Sequence, residues 1–179
     1  MADDRELWER ICRRDEDAFD AFYRDQGPRL RAFLRQILGN AQAAEDVMQE
    51  TFTQIWRRPN GFAPERATLR AYLFGAGRKR AAEWWRKEGS RSADVGTEPT
   101  SCKTEASSLV GDAFARLPED QRTLLWLREV EGHSYAELAE ILGTPVGTVR
   151  SRLFAAREEL RKVWHATPAA KLNAKKEGA

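Results

Sequence analysis

Cysteine is nearly missing from this 179-residue chain, which has only Cys12 and Cys102. They are too few and too far apart for a disulfide framework or a zinc cluster, which fits a reducing compartment. Histidine is equally scarce. His133 and His165 stand alone, no P-loop or HExxH pattern occurs, and the acids of 45–50 share one short helix with no partnered base. Catalysis, a metal, a cofactor and a small-molecule substrate therefore have no residues to rest on. His133, beside Gly132, is expected to be solvent-exposed at a turn or to act as a cap. Long apolar runs are also lacking: nothing approaches the ~18 residues of a membrane span. The opening MADDRELWER is charged and carries no apolar signal core. A soluble, cytoplasmic chain without membrane insertion is expected.

The net charge of +2 is close to balance, but its distribution is uneven. Residues 1–50 hold twelve acidic and eight basic side chains, whereas Arg66–Lys87 holds seven basic ones against Glu83 alone. Two differently charged surfaces imply two partners.

The most informative stretch is Ser134 to Trp164. Ser134-x-x-Glu137 is a capping box, and Leu138, Ala139, Ile141 and Leu142 form an apolar face. Gly143 suits the end of that helix, Thr144 suits a cap for the next, and Pro145 suits its first position. In the second helix Val149, Leu153, Ala156, Leu160 and Val163 make a buried stripe. Arg150, Ser151, Phe154, Arg157 and Arg161 fall on another side. Two helices joined by a short turn, the second basic on its free face, spell a helix-turn-helix. An ordinary helical hairpin would also carry charges there. It would not need Phe154, an aromatic that asks for a partner such as a thymine methyl.

Toward the N-terminus, Phe19, Phe22 and Tyr23, then Leu30, Phe33, Leu34, Ile37 and Leu38, recur at helical spacing. Gly27-Pro28 predicts a break, so two helices are expected, ending at Gly39-Asn40. From Ala44 to Trp56 the apolar positions Ala44, Val47, Met48, Thr51, Phe52, Ile55 and Trp56 form one stripe. The opposite side bears Glu45, Asp46, Gln49 and Glu50. Periodicity leaves open whether it is a solvated face or a receptor for a basic partner. A loop with Phe62 follows, then a helix from Thr68 to about Lys87, with Leu69, Tyr72, Leu73, Ala76 and Trp84 on one side. Arg78, Lys79, Arg80, Trp85, Arg86 and Lys87 interleave cations with an extra indole, the combination that tracks single-stranded nucleic acid.

Residues 89–107 contain no aromatic and read as a flexible linker. The expected fold is all-α: two small helical domains, 1–88 and 108–165, joined by 89–107, with a basic disordered tail at 166–179. Fully stretched, nineteen residues reach roughly 65 Å, enough to engage two separated sites on DNA.

AEDVMQETFTQIWR, the loop ending NGFAPER, LRAYLFGAGRKRAAEWWRK, and LPEDQRTLLWLREVEGHSYAELAEILGTPVGTVRSRLFAAREELR resemble bacterial RNA polymerase sigma factors of the extracytoplasmic-function type. The resemblance covers about residues 16–163 in the family's order. It implies that the Ala44–Trp56 helix docks the β′ coiled coil of core polymerase through Asp46, Gln49 and Glu50. It implies that Phe62, Arg78, Lys79, Arg80, Glu83, Trp85 and Arg86 open and capture the minus-ten element. The second helix of the C-terminal motif would read the minus-thirty-five element through Arg150, Ser151, Phe154 and Arg157. Arg152 would lie on phosphate, and backbone near Thr148 would hold another. The implied partners are core polymerase (β′ and β subunits), promoter DNA and an anti-sigma factor. Lys79 stands where relatives commonly show Asn and Glu83 where they show Asp, so the minus-ten preference is not carried over. Ala155, in the upstream-reading helix, stands where they show a basic residue, so one phosphate contact is not carried over either. The competing expectation is a stand-alone operator-binding regulator that uses the C-terminal motif alone.

Overall fold

The computed structural model describes residues 4–95, 113, 114 and 116–166. The tail at 167–179 and most of the expected linker, including Cys102, lie outside them. The elements are α1 (Asp4–Cys12), α2 (Glu16–Leu38), α3 (Ala41–Arg57), a 3-10 turn (Pro59–Gly61) and α4 (Leu69–Val95). They continue with α5 (Glu119–Leu125), which widens into a π-helical turn (Trp126–Val130), then α6 (Tyr135–Leu142) and α7 (Val146–Ala166). Among the described residues there is no strand.

Short polar side chains set the helix starts. Asp15 accepts from Ala18 N–H at 3.0 Å to open α2, and Asn40 accepts from Ala43 N–H at 3.0 Å to open α3. Gly39 closes α2 at φ 68°, a conformation costly for other residues, with its N–H on Arg35 O. The α3 stripe is as expected: Ala44, Val47, Met48, Thr51, Phe52 and Ile55 are buried.

Three local expectations are corrected. First, α2 is one continuous helix through Gly27-Pro28 rather than two. An interior proline costs about 3 kcal/mol. Phe22, Leu30, Phe33 and Leu34 are all buried on either side of it, each worth about 1.5–3 kcal/mol, so packing outweighs the breaker. Second, α4 runs on to Val95, so the first seven residues of the segment read as linker are helical. Propagating a nucleated helix is easy, and no proline intervenes before Pro99. Third, α1 had no counterpart in the sequence reading. Its Trp8 and Ile11 are buried, with Trp8 edge-on to Phe62 (5.2 Å) and Tyr72 (5.8 Å).

The two halves pack on each other. Phe74 of α4 is fully buried between Phe33 (5.4 Å) and His133 (5.1 Å), and α6 lies along α4. His133 is 0% exposed, which overturns its expected place at the surface. Polar contacts rim the junction. Arg70 Nη2 donates to Glu131 O at 2.6 Å, Arg78 Nε donates to Ile141 O at 3.2 Å, and Thr68 Oγ1 donates to Glu137. Arg66 pairs with Glu140 at 3.5 Å, and Arg29 reaches the buried Glu131 at 3.9 Å. Both imidazole nitrogens of His133 are buried without a hydrogen-bond partner among the described residues; Nδ1 is 3.8 Å from Glu137 Oε1. Burial, then the charge of Arg70, lower the His133 pKa to about 4, against the opposing pull of Glu137.

Candidate nucleic-acid interface

The helix-turn-helix is built by the capping box that the sequence contains. Glu137 N–H donates to Ser134 Oγ at 3.2 Å, and Ser134 N–H donates to Glu137 Oε2 at 2.8 Å. Gly143, at φ 63°, ends α6. Helix α7 opens at Val146, so Pro145 precedes it instead of occupying its first turn. The Thr144 hydroxyl caps nothing; it is buried without a partner among the described residues. Val149, Leu153 and Ala156 face inward, while Leu160 and Val163 are half-buried.

The outer face of α7 presents Arg150, Ser151, Arg152, Phe154 and Arg157, all exposed, with Thr148 half-buried at its start. Phe154 is 68% exposed, the most exposed large apolar side chain among the described residues. A ring left in water between cations is what an apolar contact to a base edge would use. Two arginines of this face are held from behind. Arg150 lies over the Tyr135 ring at 5.6 Å, with Arg128 over the same ring at 5.0 Å. Arg157 donates from both Nε (3.1 Å) and Nη2 (2.7 Å) to Glu129 Oε1, which raises its pKa further above the ordinary arginine value. Sequence reasoning missed Glu129 and Tyr135, since neither is in register with the face it supports.

The second group surrounds a cavity of about 620 Å³ lined by Phe62, Tyr72, Arg78, Lys79, Arg80 and Glu83 from one half and Glu140, Ile141 and Gly143 from the other. Lys79 is exposed, Arg78 is tied to Ile141 O, and Arg80 donates to Glu50 (2.9 Å) and to Gln54. Phe62 is 8% exposed within the Trp8–Tyr72 aromatic cluster, so packing explains it in this arrangement and its ring is not offered to solvent. Trp85 meets Trp84 edge-on at 5.1 Å. It is half-buried, with its N–H lacking an acceptor among the described residues. Arg86 is exposed.

The third group is the outer face of α3. Asp46, Gln49 and Glu50 are exposed and line a groove with Thr53, Gln54, Arg57, Arg58 and Arg80. Asp46 accepts from Gln42 at 2.9 Å, Gln49 donates to Glu45 at 3.1 Å, and Glu50 is already paired with Arg80. Among the described residues no group of three or more His, Cys, Asp or Glu converges on a metal position, and no helix is long and apolar enough to cross a membrane.

An exposed basic face on a helix-turn-helix, beside a half that carries a cation-lined cavity and an acidic helix, is the architecture of a DNA-binding protein of two helical units. Residues 22–91 match the family model for sigma-70 region 2, and residues 107–160 match that for sigma-70 region 4. The chain is 32% identical over 178 residues to the RNA polymerase sigma-H factor of Pseudomonas aeruginosa, covering 89% of this chain and 92% of that protein. It is 34% identical over 174 residues to the ECF RNA polymerase sigma-E factor of Haemophilus influenzae, covering 87% and 92%. Among solved structures it resembles the sigma factor RpoE in complex with the anti-sigma factor NepR from Bartonella quintana. That match has a TM-score of 0.67 and 27% identity over 80% of this chain and 96% of that one. It also resembles CnrH in complex with the cytosolic domain of CnrY, with a TM-score of 0.70 and 25% identity over 91% and 97%. The chain belongs to the RNA polymerase sigma factors of the extracytoplasmic-function (ECF) type, and it is a promoter-specificity subunit.

Proposed function

We propose that the two halves divide the work of initiation. The α3 face of Asp46, Gln49 and Glu50 docks a basic surface of core polymerase, the β′ coiled coil, by charge complementarity. Lys79, Arg78, Arg80, Glu83, Trp85 and Arg86 engage the minus-ten element as its strands part, cations on phosphate and indole on an unstacked base. The α7 face reads the minus-thirty-five element in the major groove, and the backbone near Thr148 and Arg152 hold phosphates. The protein performs no chemistry of its own and works in the cytoplasm beside its polymerase. The observation that carries this reading is Phe154, 68% exposed and set among Arg150, Ser151 and Arg157.

Because Arg78 and the cavity are shared with α6, engagement of the minus-ten element requires α6 to leave α4. An anti-sigma factor is the natural holder of the packed state: the solved relatives that this chain resembles are bound to NepR and to CnrY. The test is strand opening. Lys79→Ala with Trp85→Ala keeps duplex binding by the reconstituted polymerase but lowers permanganate reactivity of the melted region. Normal reactivity in that variant would remove α4 from the account.

A further inference from the structure

We infer that Glu129, a residue outside the recognition helix, is a positioning residue that makes Arg157 a reader of guanine instead of a phosphate clamp. The inference rests on the promoter-reading role given to α7 above.

The geometry starts in the π-helical turn. Glu131 N–H reaches back to Trp126 O at 3.1 Å, one residue wider than an α-turn. Such single π-turns inside an α-helix are frequent at functional sites. Glu131 is buried toward α2 and α4, where Arg29 and Arg70 meet it, while Glu129 points to α7. Glu129 accepts two hydrogen bonds from Arg157, both at Oε1 and both from the side edge of the guanidinium, Nε and Nη2.

A guanidinium has five N–H donors in a planar fork. With Nε–H and one Nη2–H given to Glu129, and the Tyr135 hydroxyl also bonded to the guanidinium, the end-on pair, one N–H on each Nη, lies on the edge turned away from the carboxylate. That end-on pair matches O6 and N7 of guanine in the major groove. Glu129 also cancels much of the arginine's charge, which weakens its pull toward any phosphate. Both side chains are about half exposed (48% and 52%), so the pair adds little to stability. Its consequence is orientation.

The experiment uses the full chain reconstituted with core polymerase on templates whose upstream element is randomised, with transcripts sequenced. Wild type should show one position where guanine is preferred and where Arg157→Ala abolishes the preference. Glu129→Ala should reduce that preference about tenfold, the share of a bidentate contact, and leave the other positions unchanged. Glu129→Gln, which keeps an acceptor oxygen, should restore most of it. Adding Glu129→Ala to Arg157→Ala should change nothing further. If Glu129→Ala strengthens initiation on all sequences alike, the carboxylate merely masks a phosphate contact and the inference fails. It fails equally if the selected motif is unchanged. A wild-type protein that selects no motif would overturn the promoter reading itself, a result distinct from either.

Discussion

Phe74 and His133 meet edge to face, ring centroids 5.1 Å apart and planes at 69°, and this contact joins the two halves of the chain. A fully buried imidazole against a buried ring, with Arg70 nearby, is held neutral. Its pKa of about 4 in the packed state lies below the ordinary 6.5. The stabilisation it contributes is therefore complete above pH 6.5 and is lost as pH falls from 6.5 toward 4. At the same junction burial opposes ionisation of Glu137, but hydrogen bonds from Thr68 and Ser134 hold its carboxyl below the ordinary 4.5. Its contribution is therefore lost only as pH falls below that value. Thermal melts between pH 7.5 and 4.5 should show a steeper fall for wild type than for His133→Phe. Parallel falls would mean that the imidazole is not what senses pH.

Two core rings separate stability from domain packing. Phe52 is fully buried under Phe19, Phe22 and Tyr23, and Phe74 is fully buried at the junction. Truncation of either to Ala should cost about 3–5 kcal/mol in urea unfolding. Only Phe74→Ala should also enlarge the particle in small-angle scattering under native conditions. Equal scattering from both variants would contradict the junction described here.

The capping box is a smaller, cleaner term. Ser134→Ala removes the acceptor for Glu137 N–H and should cost about 0.5–2 kcal/mol. Denaturant melts followed by far-UV dichroism would detect it, and an unchanged midpoint would refute the cap's contribution.

Base reading on α7 is tested by Arg150→Ala and Phe154→Ala. Each should relax discrimination at the upstream element by about 1–3 kcal/mol while leaving core-polymerase affinity intact. Unchanged promoter preference in both variants would place the reading face elsewhere.

Docking is tested on α3. Replacing Asp46 and Glu50 by Lys reverses two exposed charges, and the Glu50 change also breaks its 2.9 Å pair with Arg80. Core-polymerase titrations should weaken several-fold at low salt and converge with wild type as salt screens the interaction. Identical titrations would remove this surface from the interface.

How much of this was legible in the sequence depends on the range over which each feature is determined. The α3 stripe and the Ser134–Glu137 box are local, repeating at helical spacing, and the residues alone placed them. Pro28 misled because a local breaker competes with buried side chains on both flanks, and a sequence does not weigh the two. Helix α1 offered only Leu7, Trp8 and Ile11 as apolar signal in a charged stretch. Its reason for folding is a distant pair of rings, Phe62 and Tyr72. The place of His133 is set by its packing on Phe74, and the aim of Arg157 by Glu129. These are contacts between separate elements, and periodicity does not report them. The exposed basic face of α7 was legible because one helix carries it whole; its contacts with Glu129 and Tyr135 were not.

The claim on which the rest depends is that this chain gives polymerase an address. Purified protein and bare core polymerase, mixed with a library of linear duplex templates, provide the most direct test. Run-off products should begin at defined positions downstream of a shared upstream element, and omission of the protein should abolish them. Unspecific or absent starts, with duplex binding by the protein retained, would contradict the account and leave a stand-alone DNA-binding regulator in its place.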